Sequence, residues 1–304
     1  MNAALIIAAG KTARKDNFEP LKEVGTITAI QRIVMVFKRA GIERIVVVCN
    51  EDEDKTEKIA SRMNVVFLHG HGDAEMLDNV KTGLAYLRDK CSAAIITHVD
   101  VPLFSVETVR ALVEAEGPVC IPFHRGSPGH PMLLRSEHFQ AVLSYSGDGG
   151  LEAAVNASGL KRNIVEVEDE GVIANIRAEE AYEHLLAGHD LKKLHPDIRI
   201  RLVREKPFYG PGAQQLLQLT EETGSLREAC RCMGISYSKG RKITSLMEEQ
   251  LGYPIIESQQ GGKTGGHSVV TKESKELMHN YSEFCAEAER ILQELFLKYF
   301  SAGS

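Results

Sequence analysis

Gly224 to Met247, GSLREACRCMGISYSKGRKITSLM, is the stretch from which the fold of the C-terminal half follows. Ser225, with Glu228 three residues on, has the pattern of a capping box and starts a helix running to Met233. Gly234 ends that helix, because glycine takes the left-handed conformation of a tight turn at no steric cost. Ile235 supplies an apolar plug and Ser236 caps a second helix. The first turns of that helix carry Ser236, Tyr237, Ser238, Lys239, Arg241 and Lys242, all donors suited to phosphates and base edges, while Ile243, Leu246 and Met247 continue as an apolar stripe. The pattern predicts a helix-turn-helix whose second helix reads DNA; an ordinary helical hairpin with a solvated basic face is the alternative.

The flanks favour DNA. Tyr253 to Glu257 reads as a strand, Gly261 to Gly266 (GGKTGG) as a glycine-rich tip, and His267 to Thr271 as a second strand. Such a hairpin after a recognition helix is what a winged helix needs, its small residues letting the backbone lie close to phosphates, with Lys263 and Thr264 as wing contacts. Lys272 to Phe300 then lacks Gly and Pro. In it Leu277, Tyr281, Phe284, Ala288, Ile291 and Leu295 recur four and three apart, widened by Leu292, Phe296 and Tyr299. That seam predicts a long helix forming a homodimer contact, or else packing back on its own domain.

At 304 residues, 43% hydrophobic and 26% charged, the chain is long enough for two soluble domains. No apolar run approaches the length of a bilayer span, and the N-terminal apolar run is too short and lacks a preceding basic region, so a cytoplasmic protein without membrane partners is expected. The six cysteines, at 49, 91, 120, 230, 232 and 285, form no C-x-x-C pair. Cys230 and Cys232 diverge on a helix, which speaks for small core residues rather than a zinc site or disulfide. The net charge of -6 hides an asymmetry: 16 Lys+Arg against 14 Asp+Glu from residue 191 onward, net +2, and 20 against 28 before it, net -8. Only the C-terminal half suits a polyanion, and there through a local patch.

The N-terminal half alternates strand and helix. Ala4 to Ala8 is a continuous apolar run followed by Ala9-Gly10-Lys11-Thr12-Ala13-Arg14, a buried strand feeding a small-residue loop. Neither a dinucleotide fingerprint nor a P-loop is present. Helices at 28–40, 54–62 and 74–87 alternate with strands at 44–49, 65–68 and 93–98; then come strands at 119–123, 130–134 and 164–167 and helices at 136–143, 151–157 and 178–186. This predicts an α/β fold, a mostly parallel Rossmann-like sheet with flanking helices, followed by a small winged-helix α+β domain with a long C-terminal helix. The expected boundaries are 1–188 for the first domain, a polar linker at 189–197, and 198–304 for the second. Ligands of such sheets sit at the carboxyl ends of strands, here the loop after Ala8 and Val99-Asp100-Val101-Pro102.

The segments IIAAGKTAR, THVDVPLF and SPGHPMLL, in that order over roughly residues 1–188, resemble the MobA-like nucleotidyltransferases, especially the molybdenum cofactor cytidylyltransferase branch. The resemblance implies a nucleoside triphosphate, CTP rather than GTP, held by Ala8, Ala9, Gly10, Thr12 and Arg14. It also implies Mg²⁺ on Asp100, catalytic roles for Asp100, Arg14 and Lys22, and transfer of CMP to a molybdopterin-type acceptor. Gly129, His130 and Pro131, with Asp148 and Gly149, resemble acceptor-side loops. Residues 198–300 resemble the winged-helix domain of the ModE molybdate-responsive regulators, without the molybdate-binding repeats that follow it there. Three departures stand out: Glu19 where a basic residue is usual, Lys15-Asp16 after Arg14, and Asn175 with Arg177 where an aspartate motif helps hold the metal. They predict weakened or lost catalysis and a ligand-sensing regulator as the alternative. His98, at a strand end, is expected to be packed or hydrogen-bonded rather than a base.

Overall fold

Six residues, Asn2–Ile7, form β1, and all but Asn2 are buried, as a strand covered on both faces requires. The structure, a computed structural model, describes residues 1–9, 21–50, 63–70, 75–177, 182–259 and 267–300. After β1 come the short pair β2 (Glu23–Val24) and β3 (Ile27–Thr28), helix α1 (Ala29–Arg39), β4 (Arg44–Asn50), β5 (Val66–Gly70), α2 (Met76–Leu87) and β6 (Ala93–His98). Then follow α3 (Val106–Glu114), β7 (Val119–His124), β8 (Ser127–Pro128), β9 (Met132–Arg135), α4 (Phe139–Leu143), α5 (Gly150–Ala157), β10 (Arg162–Glu166) and α6 (Glu183–Gly188). The main sheet runs β10-β7-β9-β6-β1-β4-β5, with β8 added beside β7. Neighbours are parallel except that β9 opposes both β6 and β7, and β8 opposes β7. The sheet is therefore mixed, Rossmann-like in its β6-β1-β4-β5 half.

Local chemistry explains the helices. Thr28 and Gln31 make a complete capping box at α1, whose buried face is Ile30, Ile33, Val34 and Phe37. In α2, Gly83 lets the helix lie on β1, since a Cβ there would come within 2.2 Å of Leu5. Helix α3 is absent from the sequence expectation. Ser105 caps it locally, accepting from Thr108 N–H, and distant groups complete its N-terminus: Asp169 accepts from Ser105 N–H (2.7 Å), and Asp190 accepts from Val106 N–H (2.9 Å). Asp190 and His189, expected in the linker, are buried on this unit, and the boundary between the two compact units falls between Lys193 and Leu194.

The second unit, Leu194–Ser304, holds β11 (Leu202–Val203), β12 (Pro207–Tyr209), α7 (Pro211–Thr223), α8 (Leu226–Cys232), α9 (Tyr237–Leu251), the antiparallel pair β13 (Ile256–Gln259) and β14 (His267–Val270), and α10 (Lys272–Phe300). Gly234 turns with φ +61° between α8 and α9, and Ser236 caps α9 by accepting from Lys239 N–H. The capping box at Ser225 is only half made. Ser225 accepts from Glu228 N–H, but the Glu228 carboxylate turns to Arg231 at 2.6 Å, because an exposed ion-pair partner lies one turn away. Gly240 allows α8 and α9 to touch, a Cβ there falling 2.2 Å from Cys230 Sγ. The core gathers Leu217, Met247, Ile255, Val270, Met278 and Tyr281. No described helix is long and apolar enough to cross a membrane.

Candidate functional site

Strand register decides what stands together in the first unit. Ile7 at the end of β1 pairs with His98 at the end of β6 on one side and with Val48 of β4 on the other. The chain leaves β1 for β4 and β5 and returns to β6 across β1, so β1 and β6 diverge at a topological switch point, where such sheets open a crevice. Ala8 and Ala9 are buried at its floor, Ala8 N–H bonding Val48 O (2.8 Å) and Val99 N–H bonding Ile7 O (3.1 Å). Asp100 follows two residues after His98. Gly10, Thr12 and Arg14, with Glu19, lie outside the described residues, as do Lys263 and Thr264, expected as wing contacts.

Asp100 does not stand open. Its Oδ2 lies 3.2 Å from Arg177 Nε and accepts from Asn175 Nδ2 at 3.1 Å. The same turn is tied down by its backbone: Ile176 N–H donates to Asp100 O (2.9 Å), Arg177 N–H donates to Asn175 Oδ1 (2.9 Å), and Lys22 Nζ donates to Ile176 O (3.0 Å). Lys22 thus reaches the site, with its ammonium on a carbonyl of the Asn175 turn. Arg177 Nε meets Asp100 at ion-pair distance but without the alignment of a hydrogen bond, so the contact is chiefly Coulombic. A divalent cation does not fit this arrangement. Hard cations take several oxygen ligands, the Asn175 oxygen is already used, a guanidinium is on the carboxylate, and the described residues hold no cluster of three acidic, His or Cys groups.

The loop expected on the acceptor side, Gly129 to Pro131, meets this centre through His130. Gly129 is held by close contact, since a Cβ would sit 2.5 Å from Val172 O, and His130 N–H donates to that same carbonyl at 2.8 Å. The His130–Pro131 peptide is cis. The His130 ring packs edge-on against His98, centroids 4.8 Å apart. Burial, then the neighbouring His98, push His130 down to about 4; burial lowers His98 as well, Arg177 adding to it and Asp100 opposing. Both rings are therefore neutral near pH 7. Each has a buried Nδ1 with no hydrogen-bond partner among the described residues. Asp148 and Gly149 lie apart from these contacts, exposed in the turn before α5, with Asp148 O accepting from Tyr145 O–H.

One residue was not legible as functional. Asn79, in the second turn of α2, is 1% exposed, and neither of its amide atoms has a partner among the described residues. It sits against Gly70 at the carboxyl end of β5, where a Cβ would fall 2.1 Å from its Oδ1. A buried, unsatisfied amide at the strand ends is a ready recognition group. Nothing in the sequence around it distinguishes it from an ordinary helix residue.

In the second unit, Ser236, Tyr237, Ser238, Lys239, Arg241 and Lys242 are all exposed on the first turns of α9, and Arg227 of α8 lies over the Tyr237 ring at 4.8 Å. On α10 only Ser274, Met278 and Tyr281 are buried, whereas Phe284, Ile291, Leu295 and Tyr299 are 55%, 42%, 46% and 67% exposed.

A family described as the MobA-like NTP transferase domain matches residues 4–163. Over 138 residues the chain is 28% identical to the molybdenum cofactor cytidylyltransferase of Escherichia coli (strain K12), covering 43% of this chain and 68% of that protein. It is 30% identical over 93 residues to the molybdenum-pterin-binding protein MopB of Rhodobacter capsulatus, 30% of this chain and about a third (34%) of that protein's length. A solved nucleotidyl transferase from Methanothermobacter shares the fold, with a TM-score of 0.54 and 22% identity over 62% of this chain and 99% of that one.

Proposed function

Because the chain belongs to the family of MobA-like NTP transferase domains, we propose that its first unit binds a nucleoside triphosphate, CTP in preference to GTP, together with a molybdopterin-type molecule, and that occupancy of this site governs DNA binding by the second. The observation that carries this sensing role is the Asp100–Arg177 contact. It leaves a crevice equipped for anions but closes the carboxylate that metal-assisted transfer needs. The nucleotide lies over Ala8 and Ala9 with Asn79 as a base-recognition candidate. Lys22 and Arg177 neutralise phosphate charge, with Arg14 as a further candidate from the sequence. His98 and His130, both neutral, offer hydrogen bonds to a polar heterocycle on the acceptor side, next to Gly129 and Pro131.

The second unit supplies a winged-helix reader of the ModE type. Support comes from the order of helix, tight turn, helix and antiparallel hairpin, and from the row of exposed donors on α9. Replacing Lys239 and Arg241 by Ala is expected to weaken binding to an operator fragment at least tenfold and to lessen its salt dependence, while calorimetric nucleotide binding stays unchanged; retained operator affinity would sink the DNA-reading role.

Nucleotidyl transfer itself is the second reading, favoured by family membership over residues 4–163. It requires Arg177 to leave Asp100 so that the carboxylate can serve Mg²⁺. Pyrophosphate release from CTP or GTP with Mg²⁺ and molybdenum cofactor decides between the two. Turnover that is lost in Asp100→Ala establishes the enzyme; nucleotide binding without turnover upholds the sensor.

A further inference from the structure

We propose that Arg177 is a built-in cation of the phosphate subsite, so that the site takes the polyphosphate chain of a nucleotide without a divalent metal, Asp100 serving to hold the guanidinium in place. This rests on the reading of the crevice as a nucleotide site. The geometry starts with the turn 174–177. Ile176 is fully buried and Ala174 nearly so, which anchors the turn, while Arg177 remains 30% exposed in its side chain. Backbone bonds from Ile176 N–H to Asp100 O and from Arg177 N–H to Asn175 Oδ1 fix where the side chain departs. Asp100, 15% exposed in its side chain, then draws Arg177 Nε to 3.2 Å, and Asn175 Nδ2 shares the same oxygen. The guanidinium is thus pre-oriented beside the ends of β1 and β6 rather than left on a mobile stem.

Charge decides against a metal at this point. A magnesium ion bonded to Oδ2 at about 2.1 Å would stand within roughly 5 Å of Nε, a like-charge approach with no cluster of three His, Cys, Asp or Glu among the described residues to offset it. A phosphate reverses the sign of that contact. A guanidinium is permanently charged and its planar donors match phosphate oxygens two at a time. An incoming anion shares or takes over the guanidinium from Asp100. The Lys22 ammonium, on the carbonyl of Ile176, adds a second positive charge to the same turn.

The test is nucleotide binding by calorimetry on the full chain, with CTP and GTP, in EDTA and in excess Mg²⁺. The wild-type chain is expected to bind with a Kd that changes less than about threefold between the two conditions. Arg177→Ala is expected to lose at least tenfold in EDTA and to recover part of that loss in Mg²⁺, because removing the guanidinium opens Asp100 to the ion. Arg177→Lys keeps charge without the fork and should fall between; thermal melts of both variants check folding, and if Arg177→Ala does not fold, Arg177→Lys alone carries the comparison. Wild-type binding that collapses tenfold in EDTA overturns the built-in cation while leaving the nucleotide site standing. Equal affinity of wild type and both variants in EDTA overturns it too. No binding of either nucleotide under either condition removes the nucleotide reading, and this inference with it.

Discussion

Single side chains carry the distinction between a structural and a recognising role here, and Asn79 shows how to measure it. A buried amide left without partners costs about 1–3 kcal/mol of stability, so, with none among the described residues, a residue kept only for the fold would not be an amide at that place. Asn79→Leu, close to isosteric, is expected to leave the melting temperature unchanged or raise it while weakening nucleotide binding at least tenfold. A melting temperature lowered by more than about 5 °C with affinity intact would make Asn79 a structural residue. Asp100 teaches the complementary lesson. Its place after an apolar strand was legible from the sequence, and so was the unusual pair Asn175 and Arg177. The resemblance already set that pair at the site of Asp100; the direct contact of Asn175 and Arg177 with the Asp100 carboxylate was not legible, because a side-chain contact between remote turns leaves no periodicity behind.

Elements in this chain form where local and remote signals agree. Helix α1 has its own capping box and a clean apolar face, and it was read from sequence almost to the residue. Helix α3 has Ser105 as a cap, but its N-terminus is completed by Asp169 and Asp190, so its local signal falls short of the others. The last segment of the first unit doubles as that cap. Asp190 is opposed in ionising by burial, yet hydrogen bonds from Glu107, Lys193 and Val106 N–H hold it down to about 2. His189 Nδ1 accepts from Leu191 N–H and faces Arg32 at 3.4 Å, and burial followed by Arg32 lowers its proton affinity below the ordinary 6.5. A lowered pKa means the unfolded chain takes up the proton first. The stabilising contribution of His189 is therefore present above about pH 6.5 and is lost as pH falls toward its lowered folded value. His189→Asn keeps an acceptor for Leu191 N–H without a titrating ring. The difference in melting temperature between wild type and this variant is expected to shrink between pH 7.5 and 5.5. A difference constant across that range would mean His189 does not serve Leu191 N–H as a neutral acceptor.

At the scale of the whole molecule, each unit has its own core, and each proposes a different partner. Helix α10, 29 residues and about 43 Å long, uses only its first turns to close the core of the second unit. Its remaining apolar residues, Phe284, Ile291, Leu295 and Tyr299, are the proposed contact with a second copy of the chain. Changing Phe284, Ile291 and Leu295 together to Glu is expected to convert a dimer into a monomer in analytical ultracentrifugation and to lower operator affinity, with the melting of the first unit unchanged. A wild-type chain that sediments as a monomer at micromolar concentration removes the dimer.

Sequence alone determined the periodic features: the apolar strands that must be buried on both faces, the alternation that makes an α/β sheet, the caps and glycine turn around α8 and α9, and the long seam of α10. These follow from chemistry within a few residues, where side-chain spacing and backbone preference act directly. Tertiary structure decided what closure over distance produces. Register between β1 and β6 placed Ile7 beside His98, register between β6 and β9 brought His98 against His130, and the remote acids Asp169 and Asp190 completed the start of α3. It also joined Arg177 to Asp100, turning an expected metal ligand into the partner of a guanidinium. Charge and hydrogen bonding act through space, so their outcome is settled only once the chain has brought its distant turns together.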